Sequence, residues 1–145
     1  MSPATSAVVA AAAELQQGIG PGFAVAFTPG KSRVAHMRKI TAAHLRLWRV
    51  PQSIAENVVL AVSELVTNGI QHGHGAVGLK AICSDGVLRV EVTDGNPSPA
   101  QLIAADDDDI SGRGLFLVAV LAHTWGVSKD GHTTWCAFRL PPGTP

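Results

Sequence analysis

The sequence contains little charge, and the two signs cancel. Lysine, arginine, aspartate and glutamate together make up 15% of the 145 residues, and the formal net charge is zero. Proteins that grip nucleic acid through its phosphates carry a basic surface, so this balance argues against direct binding to nucleic acid. Hydrophobic residues make up 46% of the chain, the reverse of a disordered composition. Length and composition fit one domain with a single core.

Long apolar runs and metal-binding cysteine patterns are also lacking. No stretch reaches the roughly 18 uninterrupted apolar residues of a membrane-spanning helix. The N-terminus lacks the positive region and apolar core of a signal peptide. The two cysteines, Cys83 and Cys136, lie in apolar, strand-like segments without metal-ligand spacing, so we expect buried thiols in a reducing cytosol. These features predict a soluble, cytoplasmic protein.

Periodicity and turn signals divide the remainder into a flexible Ala/Gly-rich leader, 1–22, and one domain, 23–142. The predicted elements are a strand (23–27), a helix ending near Trp48, a second helix from an N-cap at Ser53 to about His72, strands (76–83 and 87–93), a helix (114–123) and strands (125–128 and 133–140). A long segment without periodicity, 95–113, precedes the third helix. Because helices and strands are segregated, we expect an α+β fold, a two-layer sandwich with a mostly antiparallel mixed sheet and helices on one face.

Polar side chains occupy one side of the second predicted helix. Glu64, Asn68 and His72 follow one another at spacings of four, so they stack on one helix face, opposite the apolar stripe. Such a face presents a carboxylate, an amide and an imidazole either to a ligand cleft or to solvent. The spacing alone leaves both interpretations open.

A second candidate lies at the end of a predicted strand, where Asp94 precedes Gly95 and Asn96. A carboxylate beside residues that tolerate tight turns suits ligand recognition. Asp-Gly and Asn-Pro pairs are equally ordinary turn formers, so this segment by itself has two explanations.

A third candidate is the segment Ser111-Gly112-Arg113-Gly114-Leu115, just before a predicted apolar helix. Glycines there let backbone N–H groups approach an anion at the positive end of the helix, and Arg113 can add a contact to phosphate. A flexible loop with a helix cap is the alternative. The segment is not a Walker loop, because no Gly-Lys-Ser/Thr follows, and it lacks the βαβ context of a Rossmann fingerprint.

The order of these motifs resembles that of the GHKL ATPases, the superfamily of gyrase, Hsp90, histidine kinases and MutL. Within it the chain is most similar to the small serine kinases that act as bacterial anti-sigma factors and to their actinobacterial relatives. The resemblance covers roughly 23–140. The matching stretches are Val62-Ser-Glu-Leu-Val-Thr-Asn68-Gly-Ile-Gln-His72-Gly, Val90-Glu-Val-Thr-Asp94-Gly, Gly112-Arg-Gly-Leu-Phe-Leu-Val118, and Trp125-Gly-Val with Gly131-His-Thr-Thr-Trp135.

The resemblance implies a Bergerat-type ATP-binding fold and a role for each matching residue. Glu64 is then the general base that polarises the attacking hydroxyl or water, and Asn68 binds Mg²⁺ through its amide oxygen. The remaining implied nucleotide contacts are His72 in the helix-end motif, Asp94 and Gly95 at adenine, Gly112, Arg113, Gly114 and Leu115 around the phosphates, and Thr133 as a weaker candidate near adenine. The 95–111 loop is the expected lid.

One departure from the family pattern lies beside Asp94. The family usually has glycine two residues on, whereas this chain has Asn96 followed by Pro97. Asparagine tolerates left-handed backbone geometry, so the turn can survive, while proline stiffens the start of the lid. We therefore expect an atypical turn on the adenine side.

The resemblance leads to two functional hypotheses. In the first, the chain is an ATP- and Mg²⁺-dependent serine/threonine protein kinase that phosphorylates a STAS-type anti-anti-sigma partner, sequesters a sigma factor, or does both. In the second, it is a non-catalytic, nucleotide-responsive module that binds a protein partner without significant turnover. Relatives of this size form homodimers, so the resemblance also implies a homodimer.

Overall fold

Five β-strands and three α-helices make up the part of the chain that the computed structural model describes, residues 20–72, 75–95 and 110–144. In chain order the elements are β1 (Gly22–Phe27), α1 (Lys31–Leu47), α2 (Gln52–His72), β2 (Val77–Ser84), β3 (Val87–Thr93), α3 (Ile110–Leu121), β4 (Thr124–Val127) and β5 (Thr133–Arg139). Their order matches the predicted one. Most of the predicted leader, all but three of its residues, lies outside the described part.

The strands form one open sheet in the order β1-β2-β3-β5-β4. Each pairing among the described strands is antiparallel, so the predicted fold class is confirmed but the expected mixed character of the sheet is not. The β2–β3 hairpin turns through Asp85 and Gly86, whose φ angles of 53° and 76° are both positive. That combination belongs to a type I′ turn, whose twist matches that of the flanking strands.

One face of the sheet carries the core. Side chains of β2 alternate between buried and half-buried positions, so that Val77, Leu79, Ala81 and Cys83 all point toward the helices. The central helix α2 buries its apolar stripe against this face, with Val58, Val62, Leu65 and Val66 each at most 1% exposed. Burying each such side chain contributes about 1.5–3 kcal/mol. This packing fixes the rotation of α2, and therefore the direction of its polar face.

The opposite face of the sheet carries charged and aromatic side chains. Glu91 on β3 lies 3.7 Å from the Lys80 ammonium and 3.0 Å from the Arg89 guanidinium. Arg89 in turn stacks over the Trp135 ring at 4.2 Å from its centroid. Trp135 approaches so closely that a Cβ added at Gly126 would lie 2.8 Å from it. Side chains of β2, β3 and β5 thus form a row across the sheet, and Trp135 extends it over Gly126 of β4.

Two predicted helix boundaries are wrong. Ser53 is not an N-cap, because α2 begins one residue earlier at Gln52 and the Pro51 carbonyl accepts the N–H groups of Ile54 and Ala55. The third helix begins at Ile110 instead of Gly114. Each glycine in a helix interior costs about 1 kcal/mol relative to alanine, which is why the sequence indicated a later start; packing of the apolar side of α3 on the core outweighs that cost.

The two cysteines are free and buried, as predicted. Burial raises the pKa of the Cys83 thiol to about 11 and that of Cys136 to about 12, since a thiolate is poorly solvated inside the core. Among the described residues no helix is long and apolar enough to cross a membrane.

Candidate functional site

The polar face of α2 meets two other elements at one end of the sheet. Glu64 and Asn68 are half-buried, one helical turn apart, and His72 is exposed at the last residue of the helix. At Glu64 and Asn68, this face of α2 is therefore partly covered by other parts of the protein and is not a fully solvent-exposed surface. Their partly buried position follows from neighbours contributed by α3 and by the end of β3.

Helix α3 touches α2 at Glu64. A Cβ built on Gly114 would lie 2.7 Å from Glu64 Oε2 and 3.7 Å from both Cβ and Cδ of the same side chain. Real Cβ atoms do not approach that closely, so only glycine leaves the Glu64 carboxylate in its present place. Two of the three sequence motifs, the α2 polar face and the Gly-Arg-Gly segment, are thus in direct contact.

The third motif reaches α2 one residue beyond Asn68. A Cβ built on Gly69 would lie 3.7 Å from Asp94 Oδ2, and 3.2 Å and 3.4 Å from Val92 and Val77 on the strands below. Glycine at this position lets the helix lie close to the sheet end. The Asp94 carboxylate, itself half-buried, is therefore beside α2 at the level of Asn68.

Two hydrogen bonds with His132 hold the backbone of Asp94, one at its N–H and one at its carbonyl. The Asp94 N–H donates to the His132 carbonyl at 2.8 Å, and His132 Nδ1 lies 3.0 Å from the Asp94 carbonyl. A carbonyl oxygen can only accept, so Nδ1 carries the proton in this contact. The backbone bond extends the β3–β5 ladder by one residue past Thr93. Together the two bonds fix the backbone from which the Asp94 side chain projects.

Thr133 lies next to this clamp. It pairs with Thr93 in the β3–β5 register, and the two hydroxyl oxygens are 2.9 Å apart. The turn before it is ordered by Asp130, whose carboxylate accepts hydrogen bonds from the Ser128 hydroxyl at 2.6 Å and from the His132 N–H at 2.9 Å. Both bonds favour the ionised carboxylate and lower the pKa of Asp130.

The predicted phosphate segment has a different conformation from the one expected. Gly112 and Gly114 lie within the first two turns of α3, not in a turn that precedes the helix. The first four N–H groups of a helix lack partners inside it, so the backbone at 110–113 keeps its capacity to bind an anion. Leu115 is 3% exposed and packs in the core, which leaves only its backbone for such a contact.

Several predicted site residues lie apart from the cluster formed by Glu64, Asn68 and Asp94. Gly95 is exposed at the end of the described strand region, and His72 is exposed at the end of α2. The Arg113 side chain, the Asn96-Pro97 turn and nearly all of the predicted lid, 95–111, lie outside the described residues.

Two residues that shape the site were not singled out from the sequence. Gly69 interrupts a helical pattern directly after Asn68, which is a recognised sign of close packing. His132 stands between turn-forming Gly131 and strand residue Thr133, and no local pattern connects it with Asp94, 38 residues earlier. Only the strand register brings the two together.

The oxygen atoms at this site suit a nucleotide bound with Mg²⁺. Mg²⁺ prefers hard oxygen ligands and usually keeps several waters, so a single amide oxygen from Asn68 beside the Glu64 carboxylate fits its coordination. Asp94 provides an acceptor at the other end, held by its backbone. Gly114, in the second turn of α3, lies against Glu64, so the start of this helix is on the Glu64 side of the site.

Comparisons with known proteins identify the family and agree with the fold. The family described as histidine kinase-like ATPase domain matches residues 27–138, more than half of the chain. Among 14 matching solved chains is one described as the RsbU and RsbW domains of Rv1364c from Mycobacterium tuberculosis. It superposes with a TM-score of 0.65 at 19% identity, and the match covers 83% of this chain but only 32% of that one. No curated protein matches the sequence.

Proposed function

The chain belongs to the histidine kinase-like ATPase domain family, and from that premise we propose that it is a regulatory serine/threonine protein kinase that uses ATP and Mg²⁺. One observation carries the proposal. Glu64 lies against Gly114, and Asp94 lies against Gly69, so three motifs that are distant in sequence converge on the second half of α2. Convergence of a base, an amide and an acceptor is what phosphoryl transfer requires, because its catalysis consists mostly of positioning and charge stabilisation.

In the proposed mechanism each side chain has one task. Asp94 accepts a hydrogen bond from the exocyclic amino group of adenine, and Thr133 supports that end of the pocket through its hydroxyl. The backbone N–H groups at the start of α3 receive phosphate oxygens. Glu64 accepts the proton of the attacking serine or threonine hydroxyl as general base.

The same face of α2 would hold the metal ion. Asn68 would bind it through its amide oxygen, one turn from Glu64, and its other ligands would be phosphate oxygens and water. When bound, Mg²⁺ neutralises the negative charge of the triphosphate. The half-buried position of Asn68 supports this assignment, since it limits competition from bulk water.

The protein substrate and partners are part of the proposal. The matched structure includes a domain named RsbW, and anti-sigma kinases are the group that the motifs resemble. We therefore propose that the hydroxyl belongs to a STAS-type anti-anti-sigma protein, that a sigma factor is the alternative partner, and that the active species is a homodimer in the cytoplasm.

Transfer of radiolabelled phosphate tests the catalytic part. Incubation with γ-labelled ATP, Mg²⁺ and a STAS-type protein encoded beside the gene is expected to label the partner. Glu64→Gln removes the base while keeping the shape of the side chain, so labelling falls by at least about 100-fold. Asp85→Asn makes the same carboxylate-to-amide change at an exposed position in the β2–β3 turn, where asparagine also tolerates the positive φ, so it serves as control and keeps full labelling.

Equal labelling by wild type and Glu64→Gln contradicts the role of Glu64. A protein that binds nucleotide but labels no partner, while forming a stable complex with a sigma factor, supports the non-catalytic binding module instead. The two functions are thereby distinguished in one set of samples.

A further inference from the structure

Helices α1 and α2 leave a groove between them on their solvent side. It encloses about 380 Å³ and lies over the first half of α2, whereas the residues of the proposed nucleotide site lie in the second half. Its apolar lining consists of Ala42 from α1, Val50 from the connection between the helices, and Ala55, Val59 and Leu60 from α2. Leu60, at the mouth of this lining, is 40% exposed.

Two arginines stand along the α1 side of this groove. Arg38 and Arg46 are separated by eight residues, two helical turns or about 12 Å, so they lie on the same side of α1. Both are exposed, and within the described ranges neither forms an ion pair. Glu56 also lines the groove, but its carboxylate accepts a hydrogen bond from Gln52 at 3.2 Å.

The charge of α1 as a whole has one sign. The helix contains no Asp or Glu and five Lys or Arg residues, namely Lys31, Arg33, Arg38, Lys39 and Arg46. In a chain of zero net charge this concentrates positive potential on one surface. Such a surface attracts a negatively charged partner and repels a basic one.

A further arginine occupies a backbone position where glycine is usual. Arg49 follows α1 with φ 59°, and the bonds Arg49 N–H to Arg46 O and Val50 N–H to Leu45 O form the Schellman ending of the helix. Arg49 is exposed, and its neighbour Val50 lines the groove.

We propose that the groove between α1 and α2 docks an acidic, amphipathic helix of a protein partner. The apolar side of that helix covers Ala42, Val59 and Leu60, and its Asp or Glu residues pair with Arg38 and Arg46. Because these two arginines are two turns apart, the matching acidic residues are seven or eight positions apart in the partner. The arrangement is helix-in-groove recognition, with arginine and leucine as anchors.

This docking site extends beyond the proposed kinase function and does not depend on it. The groove shares no residue with Glu64, Asn68, Asp94 or the start of α3. Loss of nucleotide binding would therefore leave the docking of the helix intact, and loss of docking would leave nucleotide binding intact.

A displayed library of helical peptides with randomised surface positions tests the chemistry of the occupant. The immobilised full chain is expected to enrich peptides with a leucine or isoleucine stripe flanked by Asp or Glu at spacings of seven or eight. Affinity of the enriched peptides falls at least about tenfold for Arg38→Glu/Arg46→Glu and about fivefold for Leu60→Ser. Lys129→Glu/Arg139→Glu makes the same change of net charge at exposed positions outside both α1 and the groove, and it leaves affinity within about twofold.

Each outcome decides the proposal. Circular dichroism checks that the variants are folded, and Arg38→Gln/Arg46→Gln replaces the double Glu variant if that one is not. A library reselected on Arg38→Glu/Arg46→Glu is expected to switch to Lys-rich peptides. Enrichment without acidic bias, or peptides that bind the groove variants and wild type equally, overturns the proposal. Binding to phosphatidylglycerol vesicles through the same arginines, with no acidic peptide enriched, assigns the surface to a membrane and also overturns it.

Discussion

At the scale of single residues, the site depends on a contact that only glycine permits. Gly114 and Glu64 come from different helices, and the missing side chain of one provides the space for the carboxylate of the other. The atom that a new methyl group would meet is the end of a flexible side chain. A small substitution at this position therefore moves the carboxylate and leaves the fold in place.

Gly114→Ala is expected to separate stability from activity. Alanine is favoured over glycine in a helix by about 1 kcal/mol, so the melting temperature stays the same or rises. The displaced Glu64 carboxylate lowers phosphoryl transfer by roughly 100-fold, because a misplacement of about 1 Å has effects of that size. Thermal unfolding and radiolabel transfer on the same sample check both parts. A melting temperature that falls by several degrees, or unchanged transfer, would show that the close contact does not constrain Glu64.

The buried thiols make a prediction about alkaline pH. Burial raises the pKa of Cys136 from 9.0 to about 12, whereas the thiol of the unfolded chain keeps its ordinary value. Below pH 9 both states hold the proton and stability does not depend on it. As the pH rises from 9 toward 12, only the unfolded chain releases the proton, so this contribution to stability is lost by up to about 1.4 kcal/mol per pH unit.

Urea unfolding at several alkaline pH values measures this slope. Cys136→Ala is less stable at neutral pH because it leaves a small cavity, but its stability falls less steeply above pH 9. The chain contains no tyrosine, so no phenol titrates in the same range and obscures the difference. Parallel slopes for the variant and wild type would mean that Cys136 is ionised as easily in the folded state as in the unfolded one.

At the scale of elements, the end of β3 is defined by the β4–β5 hairpin. The turn that Asp130 orders presents His132, and His132 holds the backbone of Asp94 through two hydrogen bonds. The proposed nucleotide site therefore depends on a hairpin that contributes few of its predicted contacts. His132 acts as a positioning residue for Asp94.

His132→Ala is expected to weaken the binding of ATP without affecting the binding of inorganic phosphates. Loss of one hydrogen bond of about 1 kcal/mol lowers the affinity for ATP about fivefold. Inorganic tripolyphosphate with Mg²⁺ lacks adenine, so its affinity stays within about twofold. His132→Asn keeps a side-chain N–H donor and recovers part of the loss. Equal weakening of both ligands would indicate general damage to the hairpin instead of a local effect at Asp94.

The sequence predicts the elements better than the contacts between them. Alternation in β2 and the helical stripe of α2 reveal which sides are buried, because periodicity reports directly on burial. The start of α3 at Ile110 was not predictable, since Gly112 and Gly114 disfavour a helix locally, and the contact of Gly114 with Glu64 joins residues that are distant in sequence. The pairing of His132 with Asp94 likewise follows from the register of β3 and β5, which no local sequence pattern predicts.

At the scale of the whole molecule, two surfaces on one helix are assigned different tasks. The second half of α2 carries Glu64 and Asn68 at the end of the sheet, and its first half forms the groove with basic α1. If both proposals hold, the domain engages a nucleotide and a protein partner at once. The family match covers residues 27–138 and therefore includes both surfaces.

Calorimetric titration with ATP tests the central claim, nucleotide binding between α2, Asp94 and α3, most directly. Wild type is expected to bind ATP at a single site, more tightly with Mg²⁺ than without it. Glu64→Gln retains that affinity, because the role of Glu64 is in phosphoryl transfer. Asp94→Asn lowers the affinity for ATP at least about tenfold, because it removes the charged acceptor that binds adenine. An Asp94→Asn variant that binds ATP as tightly as wild type, or a wild type that does not bind ATP at all, would contradict the assignment of this site.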